Sequence, residues 1–599
     1  MCDCHEHHHG DHKEHSSNNN TLMRAAIALL LFAGGFKFRL LFFIAYLIAG
    51  GDVLFKAAKN ITKGRVFDEN FLMSAATVGA LSIREYPEAV MVMILYQVGE
   101  YFQHRAVEKS RNSISELMDI RPDYANLNGQ KVSPQDVKIG DIITVNPGEK
   151  IPLDGVIVEG HSSVDTSALT GESVPRLVNA GDEVASGCIN LNGLLKIRVT
   201  KEFGESTVSK ILELVEHASS KKARTENFIT KFAGYYTPAV VVLAVGIALI
   251  PPLFVAGNWL ARALTFLVIS CPCALVISVP LSFFAGIGSA SKNGVLIKGS
   301  NYLELLAKPD TVLFDKTGTL TKGTFTVREI HSENNDLLKY AAYAESASSH
   351  PIAAAIRAAY GKEIPEQHDI TEIAGYGVRA VIDGKEVLAG SARLVNVEPV
   401  DTDGTVVYLS IDKKYAGYIV IADVVKEDAA AAIKELKSLS IKTVMLTGDS
   451  AATAHKVQEK LGVGTVYAEL LPEDKVNRLE DIMANANGSV IFVGDGINDA
   501  PVLTRADVGM AMGGLGSDAA IEAADAVIMD DSPEKVVTSI KIARKTMCIV
   551  KQNIVFALGV KAIFLLLGSF GMMTMWGAVF ADVGVALLAV LNSLRTLKK

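Results

Sequence analysis

The sequence predicts a multidomain membrane protein, an α-helical bundle of about eight spans that carries a β-rich insertion and a larger α/β insertion. Three observations predict it. The chain has 599 residues, more than a single hydrophobic core organises. Hydrophobic residues make up 49% of it and the mean hydropathy is +0.27, high for a soluble protein. Its apolar runs approach the ~20 residues that a bilayer demands, and two long polar stretches separate them.

In chain order, residues 1–20 form a polar, histidine-rich tail without the apolar stretch and small-residue cleavage site of a signal peptide. Candidate spans follow near 22–35, 38–58, 69–85, 87–105, 231–251, 260–286, 549–570 and 576–594. Lys37 and Arg39 interrupt the first two, and the pair Gly50-Gly51 predicts a kink inside the second. The polar insertions, roughly 106–230 and 287–548, are separated by one hairpin and so face the same side. Lys and Arg cluster at their borders, as at Arg105, Lys109 and Arg111 or Lys541, Arg544 and Lys545, which puts the insertions and both termini in the cytosol. The expectation is an integral, multi-pass protein of the plasma (inner) membrane. The first insertion alternates in short runs with turn signals and reads as β. The second alternates apolar strands with helical patterns and reads as a doubly wound α/β sheet. A net charge of -8 supplies no basic field for nucleic acid. The six cysteines, at 2, 4, 188, 271, 273 and 548, read as metal ligands or reduced thiols in so long a chain, not as a disulfide framework.

Three apolar runs of the second insertion end in acidic turns: TVLFDKTGTLT (311–321), KTVMLTGDS (442–450) and SVIFVGDGINDAP (489–501). Reactive groups gather at the carboxyl ends of strands in open α/β sheets, so Asp315, Asp449, Asp495 and Asp499 converge on one crevice. Carboxylates crowded together repel unless a cation joins them, and Mg²⁺ with a phosphate suits that need.

Together DKTGTLT, TGD and GDGINDAP resemble the phosphorylation domain of P-type ATPases, a Rossmann-like fold of the haloacid-dehalogenase type. The resemblance implies that Asp315 is the nucleophile for the γ-phosphoryl group of ATP. It also implies that Asp495 binds Mg²⁺ with Asp499 nearby, and that Thr447, Gly448 and Lys475 contact the phosphoryl group. Phosphatases of this fold place a second aspartate two residues after the nucleophile; here that position is Thr317, so an aspartyl phosphate should persist. TGES at 170–173 resembles the family's dephosphorylation loop and gives Glu172 the attacking water. ESASSHP (345–351) and GYG (375–377) resemble the nucleotide site of the heavy-metal branch, with Glu345 at the adenine, His350 orienting the nucleotide, and Gly375 and Gly377 allowing close approach. His350-Pro351 alone also reads as a helix-start turn. In DVVKEDA (423–429), Lys426 stands where the family tends to place arginine, which leaves that role open.

Cys271-Pro272-Cys273 falls within the sixth span, where proline opens the helix and exposes carbonyls. Soft thiolates there select Zn²⁺, Cd²⁺, Pb²⁺ or Cu⁺ over Mg²⁺ and Ca²⁺. Lys561 and Asp582 lie inside the last two spans, where an isolated charge costs at least ~2.5–3.5 kcal/mol and is paired or functional. This set resembles the zinc/cadmium/lead branch, in which the aspartate joins the cysteines as ligand and the lysine neighbours them as counter-ion. The Tyr-Asn pair and Met-x-x-Ser-Ser stretch expected of a copper pump are missing from GVKAIFLLLG and FADVGVALLAVLNS. Glu100, and more weakly Glu88, are candidates for a metal pathway. In the tail, MCDCHEHHHGDHKEH, with Cys2, Cys4, His5 and His7, reads as a low-specificity binder of divalent metals.

The expected division is therefore a metal-binding tail (1–20), spans one to four (21–110), an actuator domain (111–225), and spans five and six (226–290). The phosphorylation domain follows in two parts (291–322 and 423–547) around an α+β nucleotide-binding domain (323–422), before spans seven and eight (548–599). The expected partners are the lipid bilayer, ATP and a divalent heavy-metal ion, with no nucleic acid and no obligate protein subunit.

Overall fold

The structure, a computed structural model, describes residues 11–63, 69–116, 122, 124–166, 175–209, 222–332, 336–348, 350–365, 369–373, 376–400, 402, 404–495, 499–513 and 522–597. Helices stand at each apolar run: α1 (Asp11–Gly35), α2 (Leu40–Thr62), α3 (Glu69–Ser82), α4 (Tyr86–Glu116), α5 (Arg224–Leu249), α6 (Trp259–Ile269), α7 (Cys273–Lys292), α8 (Glu534–Ser569) and α9 (Met575–Ser593). Among the described residues five helices, counting α6 and α7 as one, are long and apolar enough to cross a membrane: α2, α5, α6–α7, α8 and α9.

Two details depart from the sequence reading. Within the described residues helix α1 already covers Asp11 onward, inside the segment expected to be tail, and no glycine or proline lies between Asp11 and Gly34 to interrupt it. Helix α2 runs on through Gly50 and Gly51, where the pair predicts a kink. Gly50 serves instead as a contact point for α4, since a Cβ there would meet Met93 Cγ at 3.0 Å. The break falls in the sixth run. Helix α6 stops at Ile269 and α7 starts at Cys273, Pro272 having no N–H with which to continue the ladder.

The first insertion is β-rich. Its larger sheet is built from six strands, from Ala125–Leu127 to Leu195–Val199, and a smaller one joins Ser162–Asp165 with Arg176–Val178 and Ile189–Asn190. The second insertion has a seven-stranded sheet: β1 (Val295–Ile297), β2 (Pro309–Asp315), β3 (Lys442–Leu446), β4 (Thr465–Tyr467), β5 (Ser489–Gly494), β6 (Val508–Ala511) and β7 (Ala526–Ile528). The spatial order is β1-β7-β6-β5-β2-β3-β4, parallel throughout except for β1 against β7. Strand β5 is buried along its whole length, as the apolar run of a parallel strand covered on both faces requires.

Between β2 and β3 the chain leaves along the strand Thr321–Ser332, builds a six-stranded antiparallel sheet with three helices among the described residues, and returns along Lys414–Val425. Thr321 pairs with Val425, so two adjacent strands form the whole connection. A single hydrophobic core continues from Ala274 and Phe283 of α7, through Val312 and Phe314 of β2, to Val536 and Val550 of α8.

Candidate active site and metal site

Strand β2 lies between β3 and β5, with Asp315 level with Leu446 and Phe314 with Val493. Parallel register thus opens the three acidic turns on one edge. Asp315 is buried, and its Oδ1 accepts from Lys475 Nζ at 2.7 Å. The same ammonium donates to Asp499 Oδ1 at 2.8 Å. Lys475 comes from the first turn of the helix Pro472–Ala484. After the nucleophile candidate, Thr317 is exposed and Gly318 turns the chain at φ +73, where a Cβ would lie 3.2 Å from Asp495 Oδ2. Burial and the Asp499 charge push the Asp315 carboxyl up to about 7, against the pull of Lys475. Thr447 Oγ1 accepts from the Asp449 N–H at 3.1 Å, and the Asp449 carboxylate pairs with the buried Lys316 ammonium. Lys316 is absent from the residues singled out in the sequence, although a lysine directly after a buried nucleophile was a signal for it. Thr321 donates to Asp423 and to the Lys316 carbonyl, which fastens the loop to the returning strand.

Glu345 follows the helix Leu337–Ala344 and is buried; burial pushes its carboxyl up while the Arg357 guanidinium draws it down. Arg357 donates to the carbonyls of Glu345 and Ser348. His350 is exposed and caps the helix Pro351–Tyr360, its Nδ1 accepting from the Ile352 N–H at 3.2 Å. The helix-start reading of His350-Pro351 therefore holds, and it occupies only one ring nitrogen. Gly377 sits at φ +139 with a Cβ position 2.2 Å from the Ala389 carbonyl oxygen. The sheet itself thus demands glycine there. Glu172, Gly375, Cys2, Cys4, His5 and His7 lie outside the described residues.

In the bundle, Cys271 and Cys273 flank the break between α6 and α7, both buried, and their sulfurs lie with a carboxylate oxygen of Asp582 within 4.8 Å of one another. The two sulfurs are joined as a disulfide in this structure, where the sequence reads metal ligands or reduced thiols. The Cys-Pro-Cys turn supplies the proximity, with Cα atoms 5.4 Å apart. Lys561 of α8 donates to Asp582 Oδ1 at 3.0 Å and to the Cys271 carbonyl that the break leaves unpaired within the helix. Glu100 lines a cavity together with Cys271, Cys273 and Asp582; Glu88 does not reach it. A second charged group escapes the sequence reading. Arg24 of α1 lies 3.3 Å from Asp52 of α2, and Gln97 of α4 donates to the same oxygen at 2.8 Å. The rule that drew out Lys561 and Asp582, a charge inside an apolar run, applied equally to this pair.

An α/β sheet with three acidic turns on one edge, a β-rich insertion and a helical bundle broken at a Cys-Pro-Cys turn define the class as a P-type ATPase. The two soluble parts agree: residues 309–507 match the model of haloacid dehalogenase-like hydrolases and residues 123–216 that of the P-type ATPase actuator domain. A cadmium, zinc and cobalt-transporting ATPase of Bacillus subtilis (strain 168) is 60% identical over 580 residues, 93% of this chain and 83% of that protein. A zinc-transporting ATPase of Synechocystis sp. is 56% identical over 575 residues, 92% and 80% of the two chains. The crystal structure of a zinc-transporting PIB-type ATPase in an E2.Pi state superposes with a TM-score of 0.63 at 36% identity, covering 97% of this chain and all of that one. The chain belongs to the heavy-metal-transporting P-type ATPases.

Proposed function

We propose that this protein exports divalent zinc, cadmium and lead from the cytosol, driven by ATP through an aspartyl phosphate on Asp315. The observation that carries the metal class is the convergence of Cys271, Cys273 and Asp582 at the helix break. In the reducing cytosol the cysteines offer two thiolates. Two soft donors with one carboxylate suit Zn²⁺, Cd²⁺ and Pb²⁺ better than Mg²⁺, Ca²⁺ or Cu⁺. The relatives named for zinc, cadmium and cobalt support this class; lead rests on donor chemistry alone. Lys561 acts as a built-in counter-ion that holds Asp582 once metal has left, a role its 3.0 Å contact supports. Glu100 serves the metal pathway. Helices α1, α3 and α4 complete eight spans, and the tail binds metal without being essential.

In the phosphorylation step an Asp315 oxygen bonds to the γ-phosphorus of ATP, the bond from that phosphorus to the β,γ-bridging oxygen breaks, and ADP leaves. Lys475 holds Asp315 and Asp499 together; Thr447 and Asp449, the latter steadied by Lys316, border the phosphoryl position. Asp315 and Asp499 share the Lys475 ammonium, the Asp495 carboxylate adds its charge beside Asp315, and this surplus of hard donors fits Mg²⁺. Asp495 and Asp499 would hold the ion, which neutralises charge on the phosphoryl oxygens. Because Thr317 is no base, hydrolysis waits for Glu172 to orient water. Glu345, His350, Gly375 and Gly377 form the nucleotide site, and the domains divide as the sequence divides them. The protein works as one chain without an obligate subunit. The test is ATP hydrolysis by the purified protein across an ion panel. Zinc, cadmium and lead should stimulate it and Cys271→Ala should abolish the response. Stimulation by Cu⁺ or K⁺ alone would overturn the assignment.

A further inference from the structure

Lys426 stands where the returning strand Lys414–Val425 re-enters the phosphorylation domain. Its side chain is buried, and its ammonium donates to the Gly318 carbonyl at 2.9 Å and to the Asp531 carbonyl at 2.8 Å, with Asp531 Oδ1 also at 2.8 Å. Its backbone N–H donates to the Leu320 carbonyl at 3.0 Å. Three acceptors converge on one nitrogen, which an ammonium with three N–H donors can satisfy and a planar guanidinium fork cannot.

Three parts of the molecule meet at this nitrogen. Gly318 is the turn after the nucleophile, packed on Asp495. Val425 and Lys426 end the connection from the nucleotide-binding sheet. Asp531 stands just ahead of Glu534, the first residue of α8. Neighbouring contacts stitch the same seam. The Asp428 carboxylate accepts from Ser532 Oγ and from the Glu534 N–H, and Lys535 Nζ reaches Asp530 at 3.0 Å and the Asn293 carbonyl, just past α7, at 2.9 Å. Helix α8 is then unbroken to Ser569 and carries Lys561, so at ~1.5 Å per residue one rigid rod of roughly 40 Å joins the seam to the metal site.

We propose that Lys426 is a positioning residue for phosphoryl transfer: by tying the Gly318 carbonyl to Asp531 it sets the nucleophile's loop and the start of α8 together, so that metal occupancy at the far end of α8 governs phosphorylation. This rests on Asp315 as nucleophile and on the Cys271–Cys273–Asp582 metal site. The test measures phosphoenzyme formation from ATP by the full-length protein in lipid nanodiscs, with and without zinc. If the parent protein forms no zinc-stimulated phosphoenzyme, or Asp315→Asn still does, the underlying reading fails instead. Given that baseline, Lys426→Met should lower the zinc stimulation factor by about tenfold or more, the loss of charge-assisted hydrogen bonds in a catalytic loop, while the KM for ATP changes less than about twofold. Lys426→Arg should not restore it. Asp531→Ala removes a side chain that is 50% exposed, so it folds even if Lys426→Met does not, and should lower the factor in the same direction by about threefold. In the double variant the Asp531→Ala loss should vanish into that of Lys426→Met. A merely structural lysine would reduce the amount of active protein and leave the stimulation factor unchanged. That result, a rise in KM alone, or additive losses in the double variant would overturn the proposal.

Discussion

Lys561 shares its ammonium between Asp582 and the Cys271 carbonyl, the geometry on which its proposed counter-ion role rests. Removing it leaves Asp582 in the bundle with no cation of its own, so protons must take over the balancing. Lys561→Ala should therefore make zinc-stimulated turnover and phosphoenzyme decay depend more steeply on pH than in the parent protein. Superimposable pH profiles would mean that Lys561 only extends toward the membrane surface. A different residue tests the electrostatics of the β-rich domain. Burial, helped by Asp154 and Asp165, pushes the Cys188 thiol up to about 12, whereas Cys548 is exposed. The thiolate is the reactive form, so at pH 8 Cys188 carries only about one part in ten thousand of it. Maleimide labelling of the native protein followed by peptide mapping should modify Cys548 and spare Cys188 until denaturant is added. Equal labelling of both would mean that the β-rich core is open to solvent.

At the level of helices and strands, packing is set by small residues that the sequence does not announce. Gly99 of α4 is one: a Cβ there would lie 2.3 Å from Val583 Cγ2 of α9, next to Asp582. Gly99→Val should push α4 and Glu100 away from α9, costing about 1–3 kcal/mol as an overpacked contact and lowering zinc affinity. An unchanged melting temperature together with unchanged zinc activation would contradict that packing. The phosphorylation sheet, by contrast, was legible. Three apolar runs ending in acidic turns dictate parallel strands whose carboxyl ends meet, and Asp315, Thr447, Asp449 and Asp495 do share one edge. The broken sixth helix was legible too, from a proline set between two cysteines, although Pro238 and Pro280 lie inside helices α5 and α7 that run on past them. Less legible were contacts made by residues that look ordinary in sequence. Gly50 resembles a kink but admits Met93, Gly377 resembles a nucleotide approach but admits the Ala389 carbonyl, and Lys426 resembles a weakened arginine but meets three acceptors. Tertiary partners decide each case, 12 residues away for Gly377, 43 for Gly50 and more than a hundred for Lys426, and no local pattern encodes them.

For the molecule as a whole, the continuous core from α7 through β2 to α8 makes the membrane and the phosphorylation domain one mechanical body at their junction. The six-stranded antiparallel sheet joins it by two paired strands. The strand that carries Asp315 is thus packed in one core with the helices that carry Cys273 and Lys561. The central claim is that phosphorylation of Asp315 moves a divalent metal ion held by those residues. It is tested most directly by zinc uptake into proteoliposomes whose ATP-binding domains face outward. ATP should drive zinc into the lumen with the parent protein, and Asp315→Asn and Asp582→Ala should each reduce uptake to the level seen without ATP. Hydrolysis of ATP by the parent protein without zinc accumulation, or undiminished uptake by Asp315→Asn, would contradict the account.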